Sequence, residues 1–120
     1  MSNSAVFANA RKVEQLRAGD VLFHEGDMGE EMYGVISGTL ELSSAGTPVT
    51  RITEGGVFGE LALVDKEPRS LTATAATDAS VAVIDRRMFL FLIHETPTFA
   101  LDVMGSMAAR LRAQTAVVPR

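Results

Sequence analysis

Short apolar runs separated by glycine-marked turns occupy the first two thirds of the chain, and helical spacing replaces them in the last third. Residues 12–16, with Val13 and Leu16 apolar, read as a strand that Arg17-Ala18-Gly19-Asp20 turns. Val21-Leu22-Phe23-His24 predicts a buried strand and Glu25-Gly26-Asp27-Met28-Gly29-Glu30 a second turn. Met32-Tyr33-Gly34-Val35-Ile36 predicts a strand, Ser37-Gly38 a tight turn, and Thr39-Leu40-Glu41-Leu42 an alternating strand. Ser44-Ala45-Gly46-Thr47-Pro48 turns the chain again and residues 49–52 return it. After a glycine-rich stretch, residues 61–64 fit one helical turn, and residues 71–75 and 80–84 read as strands around Thr77-Asp78. Short strands with turns at this spacing indicate an antiparallel sandwich or roll.

Beyond Asp85 the period becomes helical. Asp85 predicts an N-cap, because its carboxylate can accept from an amide of the first turn. Met88, Phe89, Phe91, Leu92 and Ile93 form a dense apolar block. Thr96-Pro97 predicts a second cap with proline at the first helical position, and that helix runs to about Gln114. In it, Leu101, Met104, Ala108, Leu111 and Thr115 recur at alternating three- and four-residue steps. Two heptads fit either a dimer seam or a face packed on the chain's own sheet. One domain follows: an arm or short helix at 1–11, a β-roll at 12–85, helices at 86–115 and a tail at 116–120.

Composition narrows the chemistry. Hydrophobic residues make up 47% of the 120, enough for a small core. A net charge of −4 and a pI near 5.1 give no general attraction to DNA or an anionic membrane. With no cysteine, disulfides, thiolate metal sites and cysteine nucleophiles are excluded. No apolar run approaches the roughly 20 residues of a membrane span. Met1-Ser2-Asn3-Ser4 lacks a secretory pattern, so a cytoplasmic protein is expected. His24 and His94 stand apart from acids at metal-ligand spacing and read as structural, so a cupin-like metalloenzyme has no ligand cluster. Asp27, Glu30 and Glu31 lack the spacing of a calcium loop, and Gly55-Gly56 is not followed by the Lys-Ser/Thr of a phosphate loop. The six methionines are expected chiefly as core filler.

The chemistry concentrates in residues 55–73. Gly55, Gly56 and Gly59 suit tight bending, and the amides that open the following helical turn suit an anion. Arg69, a planar fork of donors, can hold a phosphate bidentately. Glu60 would repel that phosphate unless it accepts from a hydroxyl beside it. An arginine for a phosphate and a glutamate for a neighbouring sugar hydroxyl describe a ribose phosphate.

Phe58-Gly59-Glu60-Leu61-Ala62-Leu63 through Pro68-Arg69-Ser70 resembles the phosphate-binding cassette of the cyclic nucleotide-binding domain family. That family includes the regulatory subunits of cyclic AMP-dependent kinase and the catabolite activator proteins. Gly19-Asp20-Val21-Leu22-Phe23 with Glu25-Gly26-Asp27, and Met32-Tyr33 before Ser37-Gly38, are similar to its early strands, so the likeness spans roughly residues 17–115. It implies a mainly β fold, a jelly-roll-like double-stranded β-helix with a cassette helix and two C-terminal helices. It implies Gly59 and Glu60 at the ribose hydroxyl, Arg69 at the cyclic phosphate, Ser70 on a phosphate oxygen and the amides of Leu61 and Ala62 assisting. Leu63, Leu71 and Ala73 would line the pocket, and Arg110, Gln114 and Thr115 match positions near the base.

Plain alternatives stand beside these roles. Arg69 could pair with Asp65 or Glu67 on the surface, Glu60 could be a favourable acid in a first helical turn, Ser70 an ordinary strand serine, and Arg110 part of a solvated helix face. Compared with the family, the sequence leaves little room for the helical region before the roll or for a segment after the last helix. The chain is thus expected not to carry the DNA-reading, kinase-inhibiting or channel segments of relatives itself. The expectation is a non-enzymatic sensor of cyclic AMP, with cyclic GMP possible, acting through an unnamed effector protein or a second copy. The alternative is a scaffold of this type that binds no nucleotide and serves as an interaction module.

Overall fold

A computed structural model describes the backbone of residues 4–7 and 9–117 and the side chains of residues 6, 7 and 9–112. Its strands form two antiparallel four-stranded sheets. One carries β1 (Val13–Leu16), β8 (Ala79–Ile84), β3 (Met32–Ser37) and β6 (Val57–Phe58) in that order. The other carries β2 (Val21–Phe23), β7 (Thr72–Ala75), β4 (Leu40–Ser44) and β5 (Thr47–Ile52). Helix α1 (Ser4–Phe7) precedes them, α2 (Leu61–Val64) sits between β6 and β7, and α3 (Arg86–Glu95) and α4 (Thr98–Val117) follow. This is the expected roll with flanking helices.

Two cores share the first sheet. Strand period 2 sends Tyr33, Val35, Val81 and Val83 toward the other sheet, where they meet Leu40, Leu42, Ala73 and Ala75. The alternate positions Met32, Ala82 and Ile84 face the helices and pack with Phe7, Leu92, Phe99 and Val103. Strand β8 is buried on both faces, which is why its sequence is apolar without alternation from Val81 to Ile84. Phe7 is fully buried, its ring edge-on to Phe99 at 6.1 Å. Burying such a ring contributes about 1.5–3 kcal/mol, which holds a helix too short to form alone. Residues 4–7 are therefore held as a short helix rather than a frayed arm.

Several boundaries differ from the sequence reading. The turn after β4 lies at Ala45 and Gly46, both with φ near the left-handed region (49° and 85°), so Thr47 and Pro48 belong to β5. Proline is tolerated there because β5 is an edge strand. Strand β2 is also an edge, and Val21 is 42% exposed rather than buried. The glycine stretch hides the two-residue β6, which pairs Phe58 with Tyr33 and Val57 with Gly34. Asp85 caps α3 as expected, accepting from the Met88 amide at 2.8 Å. Thr96 ends α3, and its carbonyl accepts from the Phe99 amide at 2.8 Å, so α4 starts just beyond the proline. Met32 lies in the core and Met88 and Met107 pack against it, as expected of filler, whereas Met28 and Met104 are 70% and 54% exposed. His24 and His94 are both solvent-facing rather than structural, His24 beside Asp27 and His94 beside Glu95.

Candidate functional site

Glycine and proline spacing makes the cassette fold locally. Strand β6 ends at Gly59, whose φ of +80° favours glycine, and the chain turns directly into α2 at Glu60. A Cβ on Gly59 would stand 3.0 Å from Arg69 Nη1, so the same glycine lets the guanidinium approach the backbone. The Gly59 carbonyl accepts from that nitrogen at 3.1 Å.

Arg69 is 8% exposed and is fixed at both ends. Its amide donates to the Asp27 carbonyl at 2.8 Å, and its own carbonyl accepts from the Gly26 amide at 2.8 Å. Its Nη2 donates to the Glu31 carbonyl at 2.8 Å, and its Cζ lies 4.3 Å from the centre of the Phe23 ring. Neither Asp65 nor Glu67 pairs with it, so the surface ion-pair reading does not hold. Among the described residues no carboxylate lies within ion-pairing distance of this buried cation.

Glu60 is 1% exposed, and its side chain makes no capping bond to α2. It is therefore not a plain first-turn acid. Its Oε1 is paired with Arg110 Nη2 from α4, while its Oε2 has no hydrogen-bond partner among the described residues. Arg110 Nη1 donates to the Ser106 hydroxyl at 3.1 Å, which donates to the Val57 carbonyl at 3.0 Å. With 12% side-chain exposure, Arg110 does not belong to a solvated helix face. Burial pushes its guanidinium below the usual arginine range.

Glu60, Arg69 and Arg110 line one pocket together with Gly59, Leu61, Ala62, Ser70 and Leu71. Ser70 is exposed at the pocket wall. The Ala62 amide already donates to the Gly59 carbonyl at 3.3 Å, so a ligand would have to share or displace that bond. Leu63 packs in the helical core and Ala73 between the sheets, and neither lines the pocket. The side chains of Gln114 and Thr115 lie outside the described residues. Phe23, Leu42 and Glu67 line the pocket without having been marked by the sequence, and the carbonyl of Glu31 carries no residue-type signal at all. The pocket is partly open to solvent.

Among the described residues no group of His, Asp or Glu could hold a metal ion, and no helix is long and apolar enough to cross a membrane. The family model for the cyclic nucleotide-binding domain matches residues 13–96. The cAMP-dependent protein kinase regulatory subunit of Debaryomyces hansenii is 33% identical over 97 residues, 79% of this chain and 22% of that protein. The cGMP-dependent protein kinase of Toxoplasma gondii is 41% identical over 70 residues, 58% of this chain and 7% of that protein. The catabolite activator protein of Thermus thermophilus superposes with a TM-score of 0.72 at 29% identity, covering 88% of this chain and 52% of that one. The chain thus spans a minor part of the curated relatives it matches here.

Proposed function

The chain belongs to the cyclic nucleotide-binding domain family, and from that premise we propose that it is a non-enzymatic sensor of cyclic AMP. The observation that carries this reading is a pair of unmet demands in one pocket. Among the described residues, Arg69 is a buried cation without an acid and Glu60 is a buried acid with one oxygen unbonded. A buried charge without a partner is costly. A cyclic phosphate supplies the anion, and the 2′-hydroxyl, the ribose hydroxyl left free by 3′,5′-cyclisation, supplies the donor. Gly59, Leu61, Ala62, Ser70 and Leu71 form the walls of that site in this reading, and Arg110, with Gln114 and Thr115, covers the base side.

Arg110 holds the Glu60 oxygen that a sugar hydroxyl would compete for, so in this reading the nucleotide displaces Arg110. Competition for Glu60 then links ligand binding to α4. The apolar residues Leu101, Met104 and Leu111 are 65%, 54% and 65% exposed on that helix, which favours the seam over packing on the chain's own sheet. The relay passes through this stripe to a second copy or an effector protein in the cytoplasm. The resemblance to both cAMP- and cGMP-dependent kinases makes cyclic GMP the comparison ligand.

Calorimetry of wild type and Arg69→Ala with both nucleotides tests the reading. Removing one partner of a buried charge pair costs about 2–5 kcal/mol, a loss of roughly 30-fold or more in affinity. Equal affinity in the folded variant defeats the assignment. The contact between Arg110 and Glu60 favours one second reading, a closed scaffold that takes no nucleotide. It requires that neither nucleotide raises the melting temperature.

A further inference from the structure

We propose that Phe23 and Gly29 are positioning residues for the Arg69 guanidinium, together forming a slot that aims its free N–H groups at the ligand phosphate; this rests on the nucleotide-binding reading above. The slot has two definable boundaries. The Phe23 ring lies against the guanidinium at 4.3 Å from Cζ, with the Tyr33 ring further off at 5.6 Å. A Cβ on Gly29 would stand 2.4 Å from Nη2, 2.7 Å from Cζ and 2.7 Å from Nε. The cation is therefore seated beside bare backbone where any side chain would intrude. At its edges, the carbonyls of Glu31 and Gly59 take one N–H each. The Tyr33 hydroxyl also interacts with the guanidinium, and Arg69 lines the pocket with the N–H groups that these acceptors leave.

Each component has a physical role. A ring face attracts a cation without consuming its donors, so Phe23 compensates a buried charge and leaves the hydrogen-bonding fork free. A carboxylate in that place would compete with the phosphate. Arginine has a long, rotamer-rich stem, and holding it in one pose before binding removes an ordering cost from the binding step. Phe23 is itself locked among Tyr33 and Phe58, at 5.8 Å and 6.1 Å between ring centres. Gly29 is not in the left-handed region, so an alanine there has an allowed backbone and acts only through its methyl group.

The test uses Phe23→Leu, Phe23→Tyr and Gly29→Ala with two readouts. Titration calorimetry with cyclic AMP should show roughly tenfold weaker binding for Phe23→Leu, near-wild-type binding for Phe23→Tyr, and a loss at least as large for Gly29→Ala. The ionisation of Tyr33, the single tyrosine, followed by tyrosinate absorbance, should move to higher pH in Gly29→Ala as the guanidinium is pushed away. Circular dichroism establishes that each variant is folded, and Gly29→Ala keeps the test open if Phe23→Leu does not fold. Unchanged affinity in the folded Phe23→Leu and Gly29→Ala variants overturns the proposal. An equal loss in Phe23→Tyr and Phe23→Leu overturns the role of the ring face. Wild type that binds no cyclic nucleotide removes the ligand reading and the aim at a phosphate with it, while the tyrosine titration still decides whether Gly29 seats the cation.

Discussion

Arg110 reaches from the last helix to pair with Glu60, fifty positions earlier in the chain, and this pair joins α4 to the turn that opens α2. The carboxylate is nearly sealed from solvent, so the ion pair is screened little by salt. Ser106 extends the connection to the backbone of β6 through the Val57 carbonyl. Whatever competes for Glu60 therefore acts on the helix.

Glu60→Gln preserves shape while removing the charge. It should weaken binding of cyclic AMP and abolish the preference for cyclic AMP over its 2′-deoxy analogue, since only the carboxylate pairs strongly with that hydroxyl. Leaving Arg110 buried without its acid should also lower unfolding stability by about 1–3 kcal/mol. Competition binding and chemical denaturation measure the two effects; a variant that still discriminates the 2′-hydroxyl speaks against Glu60 as its acceptor.

Arg110→Met keeps an apolar stem of similar reach and cuts the connection. Backbone amides of α4 beyond Ser106 should exchange faster with deuterium than in the ligand-free wild type. Saturating wild type with cyclic AMP should accelerate or redistribute exchange in the same segment, because Arg110 is displaced there too. Exchange that is identical in all three states leaves the relay without support.

Tyr33 should ionise late. Burial raises its folded-state value above the ordinary one near 10, with Arg69 opposing that rise. A raised value means that the folded state holds its proton longer than the unfolded chain. The stabilisation is therefore complete below about pH 10 and is lost as pH rises through the folded-state value. Because the chain has one tyrosine, absorbance follows this group alone, and Arg69→Gln should move the transition further up. A transition at or below the ordinary value in the native protein contradicts the burial described.

Met104→Glu tests the exposed stripe on α4. Carboxylates facing each other in an apolar seam repel and must be desolvated, so a dimer held there should dissociate to monomer. Light scattering across a range of concentrations reads the mass directly. A monomeric wild type at high concentration removes the second copy as partner and leaves the effector protein.

The cassette was legible because its parts are close in sequence. Gly59 and Glu60 sit at one end of the eleven-residue segment 59–69 and Arg69 at the other, and glycine, proline and the short apolar run fix the path between them. Strand β6 was not legible, since two residues among glycines carry no period. Pro48 argued for a turn, and only its place on an edge strand lets it pair.

The amino-acid order alone determined the roll, the helical end and the two charged groups of the pocket, because each rests on local periodicity or on neighbours within a dozen residues. Tertiary structure decided what those charges meet. The Phe23 ring, the Glu31 carbonyl, the bare backbone of Gly29 and the side chain of Arg110 come from separate elements, and two of the four contacts are made by backbone rather than by a recognisable side chain. No spacing rule encodes such contacts, since they exist only once both sheets and α4 have packed.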